Sequence, residues 1–403
     1  MSTRGKGPAT APRPSWEGLP TCELCGHRQP GVEASPEVCP CRFEAVTAHV
    51  LAALHGSVDS PDRASPARPR RRPTRFGHPT ALLALGLVIA IGASLAVGAK
   101  PIPLSEVLHA LVAFDPGSTD QLIVRRLRLP RTIVGAGAGA SFAVAGAIMQ
   151  GLTRNPLAAP GLLGVNAGAS FAVVLAIWAF GLASVGGLVW FAFVGAAVAS
   201  VLVFTLGSVG RGGAQTVRLA LAGAALTAFL GSFTAAVLVL DQATLDQFRF
   251  WVVGSLAGRG ATTAAQVAPF VLVGMVVAVG VSRQLDILAL GDDEARALGI
   301  RVGLAKGLSV MAITLLCGAA VAAVGPIGFV GLVVPHTMRA IVGPDHRRLI
   351  PACALAGPTM LLGSDTLGRV IARPGELPVG ITTAAIGGTI FVLVARAMKV
   401  AEL

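Results

Sequence analysis

NPLAAPGLLGVNAGASFAVVLAIWAFGLASVGGLVWFAFVGAAVASVLVFTLGSVG, residues 155–210, runs for 56 residues without an Asp, Glu, Lys or Arg. A helix that crosses a bilayer needs about 20 predominantly apolar residues, so this stretch holds two spans and the turn between them. The same measurement applied outward finds charge-free candidates at Phe76 to Ala99, Thr132 to Thr153, Leu219 to Leu240, Gly260 to Ser282, Gly307 to Pro335, Leu349 to Ser364 and Leu377 to Ala395. Nine spans result if each remaining candidate crosses once. The Gly307 run is too long for one helix, and Pro326 with Gly325, Gly328 and Gly331 would break it. That division gives one helix to about Val324, another from about Ile327 to Ile341, and ten spans in all.

Composition excludes a soluble enzyme. Of 403 residues, 32 are Lys or Arg and 20 are Asp or Glu, while 54% are apolar and 50 are Gly. The first 80 residues hold 18 of those 52 charges and 12 of the 26 prolines, which leaves 34 charges for the remaining 323 positions. So apolar a chain cannot be covered by a charged surface in water. The net charge of +12 therefore reads as membrane orientation, with no nucleic-acid partner implied. No apolar signal region lies in the first 30 residues.

Charge placement favours ten spans, because Lys and Arg in short loops prefer the cytoplasmic side. Arg68, Arg70, Arg71, Arg72 and Arg75 place the N-terminus inside. With ten spans, Arg154, Arg211 and Arg218, the segment from Arg283 to Lys306, Arg347 and Arg348, and Arg396 and Lys399 all fall inside as well. The expectation is an all-α polytopic protein of the plasma (inner) membrane with both termini cytoplasmic. The exception is the outer loop 100–131, with Lys100, Arg125, Arg126, Arg128 and Arg131; a basic outer loop works against orientation and is a candidate for function. Gly135, Gly137, Gly139, Gly146, Gly164 and Gly168 offer small faces for close helix packing.

The spans hold almost no groups that could power transport. Ionisable residues at membrane depth cost about 2.5–3.5 kcal/mol on insertion scales and mark ion pathways where they occur; here Asp365 and Glu376 read as span-end residues. The four lysines, Lys6, Lys100, Lys306 and Lys399, stand in no Gly-Lys-Ser/Thr phosphate loop. Energy must come from another chain, or the protein is passive. One polar segment, Leu285 to Arg301, carries helix signals: Asp292 as N-cap, Asp293 and Glu294 at the positive end, and Gly299 as the stop. It is either an ordinary solvated loop helix or a rigid element that passes movement to a soluble partner.

Seven segments taken in order resemble the FecCD-type permease family of bacterial ABC importers for ferric siderophores, haem and vitamin B12. They are Arg128-Leu-Pro-Arg131-Thr, Gly146-Ala-Ile-Met-Gln150-Gly, Arg154-Asn155-Pro156-Leu-Ala-Ala-Pro-Gly161-Leu-Leu-Gly164, Gly291 to Gly299, Gly325-Pro326-Ile-Gly-Phe-Val-Gly-Leu-Val-Val-Pro335-His336, Asp345-His-Arg347 and Glu376-Leu-Pro-Val-Gly380. The resemblance covers roughly residues 80–400 and implies ten spans, a second permease subunit (identical or different), two cytoplasmic ABC ATPase subunits and an extracytoplasmic substrate-binding protein. It implies an ATPase-coupling segment at Gly291, Asp292, Asp293, Glu294, Ala295, Arg296, Leu298 and Gly299. It also implies that Arg128, Arg131 and Arg369 receive carboxylates of the binding protein, while Gln150, Asn155, Pro156, Gly164, Gly325, Pro326 and Pro335 are structural. No catalysis and no cofactor are implied for the spanning part, residues 79–403. An ion-driven exporter and a membrane-tethered metal sensor remain as other classes.

Residues 1–78 lie outside that resemblance. Cys22-x2-Cys25 and Cys39-x-Cys41 form two pairs in residues 1–56, followed by a basic Pro-rich linker over 57–78. In a reducing compartment such pairs read as a zinc site or as free thiols.

Overall fold

The computed structural model describes residues 77–98, 100–182, 184–208 and 216–401. Cys22, Cys25, Cys39 and Cys41, and with them the expected zinc module and most of the linker, lie outside the described residues.

The described chain is helical, with no strand among its residues. In order it forms α1 (Gly77–Ala96), α2 (Leu104–Val112), α3 (Thr119–Ile123), a π-turn (Val124–Arg128), α4 (Leu129–Thr153), a 3-10 turn (Pro160–Leu163), α5 (Val165–Phe180), α6 (Val185–Ser208) and α7 (Thr216–Leu240). Then follow α8 (Gln242–Val252), α9 (Ala261–Leu288), α10 (Asp292–Ala297), α11 (Val302–Val324), α12 (Val330–Val342), α13 (His346–Ile371) and α14 (Val379–Ala401). Among the described residues, 6 segments are long and apolar enough to cross a membrane: α1, Thr119–Thr153, α6, α7, α9 and α11. Shorter apolar helices occupy Val165–Phe180, Val330–Val342 and Val379–Leu393.

Residues 155–210 do form two helices, α5 and α6, and the Gly307 run does break, after Val324. Gly325 ends α11 with φ +83°, and a Cβ there would meet the Trp251 carbonyl at 2.5 Å. The turn is packed on the 251–255 segment, where the Ser255 amide donates to the Val324 carbonyl at 2.8 Å. α13 is longer than its charge-free core of Leu349 to Ser364 suggests, because it takes in Arg347, Arg348, Asp365 and Arg369. Asp345 caps its start by accepting from the Arg347 amide at 2.9 Å. The helix α8 went unpredicted; Asp241 caps it through the Thr244 amide at 3.0 Å.

Burial separates the helices into an inner and an outer set. The α3–α4 span is 78% buried and α11 72%, against 11% for α7, 17% for α1 and 22% for α9. α4 packs on α13, α11, α9 and α12, so it forms the axis of the bundle. Close approach explains how. A Cβ on Gly146 would overlap the Gly331 carbonyl in α12, and one on Gly139 would lie 2.7 Å from the Gly357 carbonyl in α13. The α5–α6 crossing is built likewise from Gly168 and Gly195. Of the small residues named from sequence, Gly137 faces open space, and Gly164 serves the turn into α5. Where lipid supplies no hydrophobic drive between helices, such backbone proximity is the main source of packing energy.

Gly146→Leu should therefore separate α4 from α12 and lower thermal stability in detergent by roughly 1–3 kcal/mol, the usual cost of overpacking, whereas Gly137→Leu should leave the melting temperature unchanged.

Candidate functional site at the two ends of the helix bundle

The basic loop that precedes α4 folds back onto the bundle at the N-terminal end of that helix. The last carbonyls of a helix have no partner within it, and those of α1 are taken by two arginines. Arg128 donates to the Leu95 carbonyl at 2.7 Å and to that of Lys100. Arg369 of α13 donates to the Ser94 and Val97 carbonyls at 3.2 and 2.8 Å. Positive charge at a helix C-terminus is favourable. Beside them Asp365, fully buried, accepts a two-point contact from Arg131 at 2.8 and 3.0 Å and lies 3.2 Å from the Arg369 guanidinium. Arg131 also reaches Glu376 at 2.7 Å.

The three arginines named from the sequence are thus brought together, but their pose differs from that of accessible docking groups. Arg128 and Arg369 are buried at 6% and 2% exposure, and Arg131 is held by two carboxylates. Asp365, in the last two turns of α13, is the counter-ion around which the cluster is built. The Asp365-x3-Arg369 spacing, one helical turn, was the available signal for it. Arg125, Arg126 and Leu127 on the π-turn remain exposed.

At the opposite end lies α10. Asp292 does not cap it; Gly291 occupies that position, and Asp292 is the first helical residue. Its carboxylate is held from two sides, by Arg154 at the end of α4 at 2.6 Å and by Lys306 of α11 at 2.5 Å. Arg154 adopts a left-handed conformation, φ 52°, and also donates to the Leu288 carbonyl of α9 at 2.8 Å. Burial by itself would raise the Asp292 carboxyl, but Lys306 and Arg154 outweigh it and hold the group below the ordinary carboxylate range. The clamp is therefore intact above the unfolded pKa of about 4 and is lost only as acid protonates Asp292.

Gly299 stops α10 as expected. With φ +81°, it lets the Ile300 amide bond the Ala295 carbonyl at 2.9 Å and donates its own amide to Arg296 at 2.9 Å, a full C-terminal Schellman arrangement. Ala295 is buried with Leu288, Val302 and Ala305. Asp293, Glu294, Arg296 and Leu298 face outward, and Leu290 and Leu298 are 65% and 62% exposed. The result is a short helix fixed to three long ones, with a mixed apolar and charged outer face.

The remaining motif residues serve the same end. Gln150 in α4 donates to the Leu332 carbonyl at 3.2 Å and accepts from Arg339 at 2.7 Å, tying α4 to α12. Asn155 folds its own turn by accepting from the Leu157 amide at 2.9 Å. Pro156 lines a cavity with Gln150, Arg154, Asp286, Arg339 and His346; there Asp286 accepts from the His346 backbone at 2.9 Å and meets its Nδ1 at 2.6 Å. Pro335 is buried within α12. Sequence reasoning missed the clamp partners Arg154 and Lys306 and the Asp286–His346 pair, since each spans at least 14 residues. Among the described residues no group of His, Cys, Asp and Glu could hold a metal ion.

A bundle with a buried axis helix, a rigid interhelical element at one end and a cationic cluster at the other is the architecture of a transport-system membrane subunit. The chain belongs to the FecCD transport family, which matches residues 86–397. It is 48% identical over 314 residues to the ferric enterobactin transport system permease protein FepD of Escherichia coli (strain K12), covering 78% of this chain and 93% of that one. It is 42% identical to the Fe(3+)-citrate import system permease protein YfmD of Bacillus subtilis (strain 168), covering 77% and 91%. Among solved structures, an inward-facing conformation of a putative metal-chelate type ABC transporter superposes with a TM-score of 0.70 at 30% identity, over 79% of this chain and 98% of that one.

Removing Asp365 leaves Arg131 and Arg369 without their buried counter-charge. Asp365→Ala should lower stability by about 3–5 kcal/mol, read as a large fall in melting temperature. Asp292→Ala, whose carboxylate is partly exposed, should cost less, about 1–3 kcal/mol.

Proposed function

We propose that the chain is the permease subunit of a binding-protein-dependent ABC importer for ferric siderophores. The observation that carries the reading is its near full-length likeness to iron-chelate permeases, and the clamped helix α10 supplies the physical means. Ion coupling is disfavoured by the state of the buried acid: Asp365 is neutralised by two arginines. Energy then comes from separate ATPase subunits. A transmitting element must move as one body with the spans it drives, and α10 meets that need through Asp292, Arg154 and Lys306, which join it to α4 and α11.

In this reading α1, α4, α5, α6, α7, α9, α11, α12, α13 and α14 are ten spans, with both termini cytoplasmic. Two permease subunits form the path, and two ATPases receive the outer face of α10 with Asp293, Glu294, Arg296 and Leu298. The binding protein docks at the opposite end, over Arg128, Arg131 and Arg369. Their guanidiniums order that surface from beneath, and Arg125 and Arg126 extend it. Substrate passes by alternating access, and no bond chemistry occurs in this chain. Likeness to citrate and enterobactin permeases favours a ferric chelate over haem or a corrinoid. Cys22, Cys25, Cys39 and Cys41 are the zinc ligands of this reading, and stoichiometric zinc in the purified full chain is the check.

Expression in a strain lacking its own ferric-siderophore permease, together with the cognate ATPase and binding protein, should restore uptake of iron chelated by siderophore. Glu294→Lys should cut that uptake at least tenfold and weaken co-purification of the ATPase, with the melting temperature of the permease unchanged; unaltered uptake and co-purification would remove α10 from the coupling path.

A further inference from the structure

The short helix α2 has three faces, where a helix lying between protein and water needs only two. Val107 and Ala110 point inward and share a small core with Leu95, Ile102 and Val124, against which Ile91 and Ala96 pack. Ser105, Glu106 and His109 form a polar sector. The third sector, about 100° wide at 3.6 residues per turn, holds Leu104, Leu108, Leu111 and Val112, which are 42–88% exposed. Four large aliphatics side by side on nine residues do not suit a face turned to water.

The link to α1 sets the depth of this face. The Ile102 amide donates to the Ala96 carbonyl at 3.0 Å, so the chain has already returned to the last residue of α1 when α2 begins. The inner face then packs along Ile91 and Leu95, within about 8 Å of the tip of α1 at 1.5 Å per residue. An amphipathic helix in a bilayer interface lies at a similar depth, with its apolar face about 5–10 Å into the boundary between headgroups and acyl chains. α1 itself exposes Leu82, Leu85, Val88 and Ile89, so acyl chains are the medium that surrounds its neighbour. Phe114 follows two residues after α2, and the Arg125 guanidinium stands over its ring, 4.6 Å from the centroid. Arg125 is exposed and in no ion pair among the described residues, whereas Arg126 lines the arginine-rich cavity. An aromatic ring under a cation beside an apolar face suits the headgroup level, and the arginine fork matches the free oxygens of a phosphate.

We infer that α2 is an interfacial helix, with Leu104, Leu108, Leu111 and Val112 seated in the acyl chains of the bilayer and Arg125 on the phosphate of a phospholipid headgroup. The importer reading above decides only that the leaflet is the outer one. Val124, the first residue of the π-turn, shares the core of Val107 and Ala110. Lipid therefore holds the turn that carries Arg128 at a fixed height on the bilayer.

The test uses the full chain, one copy per nanodisc, with an indole introduced by Leu108→Trp on the apolar face or by His109→Trp on the polar one. In phosphatidylcholine brominated near the top of its acyl chains, the emission added by Leu108→Trp should lose most of its intensity, and that added by His109→Trp should change little. An indole from Leu108→Trp that emits as in water overturns the lipid seat. One that is shielded from water yet unquenched also overturns it and leaves protein as the occupant, and equal quenching at both positions overturns the interfacial depth. In detergent, added phosphatidylglycerol should raise the melting temperature of the unaltered protein by several degrees, that of Arg125→Lys by less and that of Arg125→Gln least, while inorganic phosphate at the same concentration should leave all three unmoved. Equal shifts in the three proteins overturn the Arg125 contact, and an equal shift with inorganic phosphate overturns lipid as its source. An N-terminus found outside the cell counts against the orientation in the importer reading and moves α2 to the inner leaflet, with its seat in lipid unchanged.

Discussion

The described helices are arranged around a single one, α4, that must be covered by other helices while lying in a solvent as apolar as itself. Burial of α4 gains nothing from the hydrophobic effect once lipid is the alternative, so contact distance has to supply the energy. Gly139 and Gly146 let the backbones of α13 and α12 come close enough. With the axis fixed, the positions of its two ends are fixed too. Arg131 projects from one and Arg154 terminates the other, and each gathers a charged cluster that draws in helices distant in sequence.

The two clusters solve different problems with the same chemistry. At one end a buried carboxylate holds two guanidiniums whose companions close off the carbonyls of α1. At the other a partly exposed carboxylate is gripped by a lysine and an arginine from different helices. The first arrangement is rigid because no member can leave without stranding a charge. The second ties a protruding helix to the ends of three long ones.

Much of this was legible in the sequence because the spans are defined by what they lack. The presence of two helices in 155–210, the C-terminal end of α7 and the end of α11 at Val324 follow from the spacing of charges and helix breakers, and the break at Gly325 and Pro326 needs no tertiary information. What escaped was the state of those residues. An arginine in a loop gives no local sign of whether it faces water or a carbonyl 33 positions away, as Arg128 does with Leu95, or an acid 234 positions away, as Arg131 does with Asp365. The extent of α13 was hidden likewise, since its terminal charges look like boundaries until their partners are known. Asp292 was misjudged as a cap because the two cations that claim it come from other helices.

The capping of α1 has a consequence for how the chain is made. α1 is the first of the described helices to be made, yet it is among the least buried, and its main neighbour is α13. The carbonyls of Ser94 and Val97 wait for Arg369, 275 and 272 residues further along. At roughly 5–20 residues per second of synthesis, that interval is on the order of tens of seconds. Throughout it α1 is held at its C-terminal end, where Arg128 caps the Leu95 carbonyl, but lacks its main packing partner. Packing of α1 along its length is therefore completed only once α13 has been made.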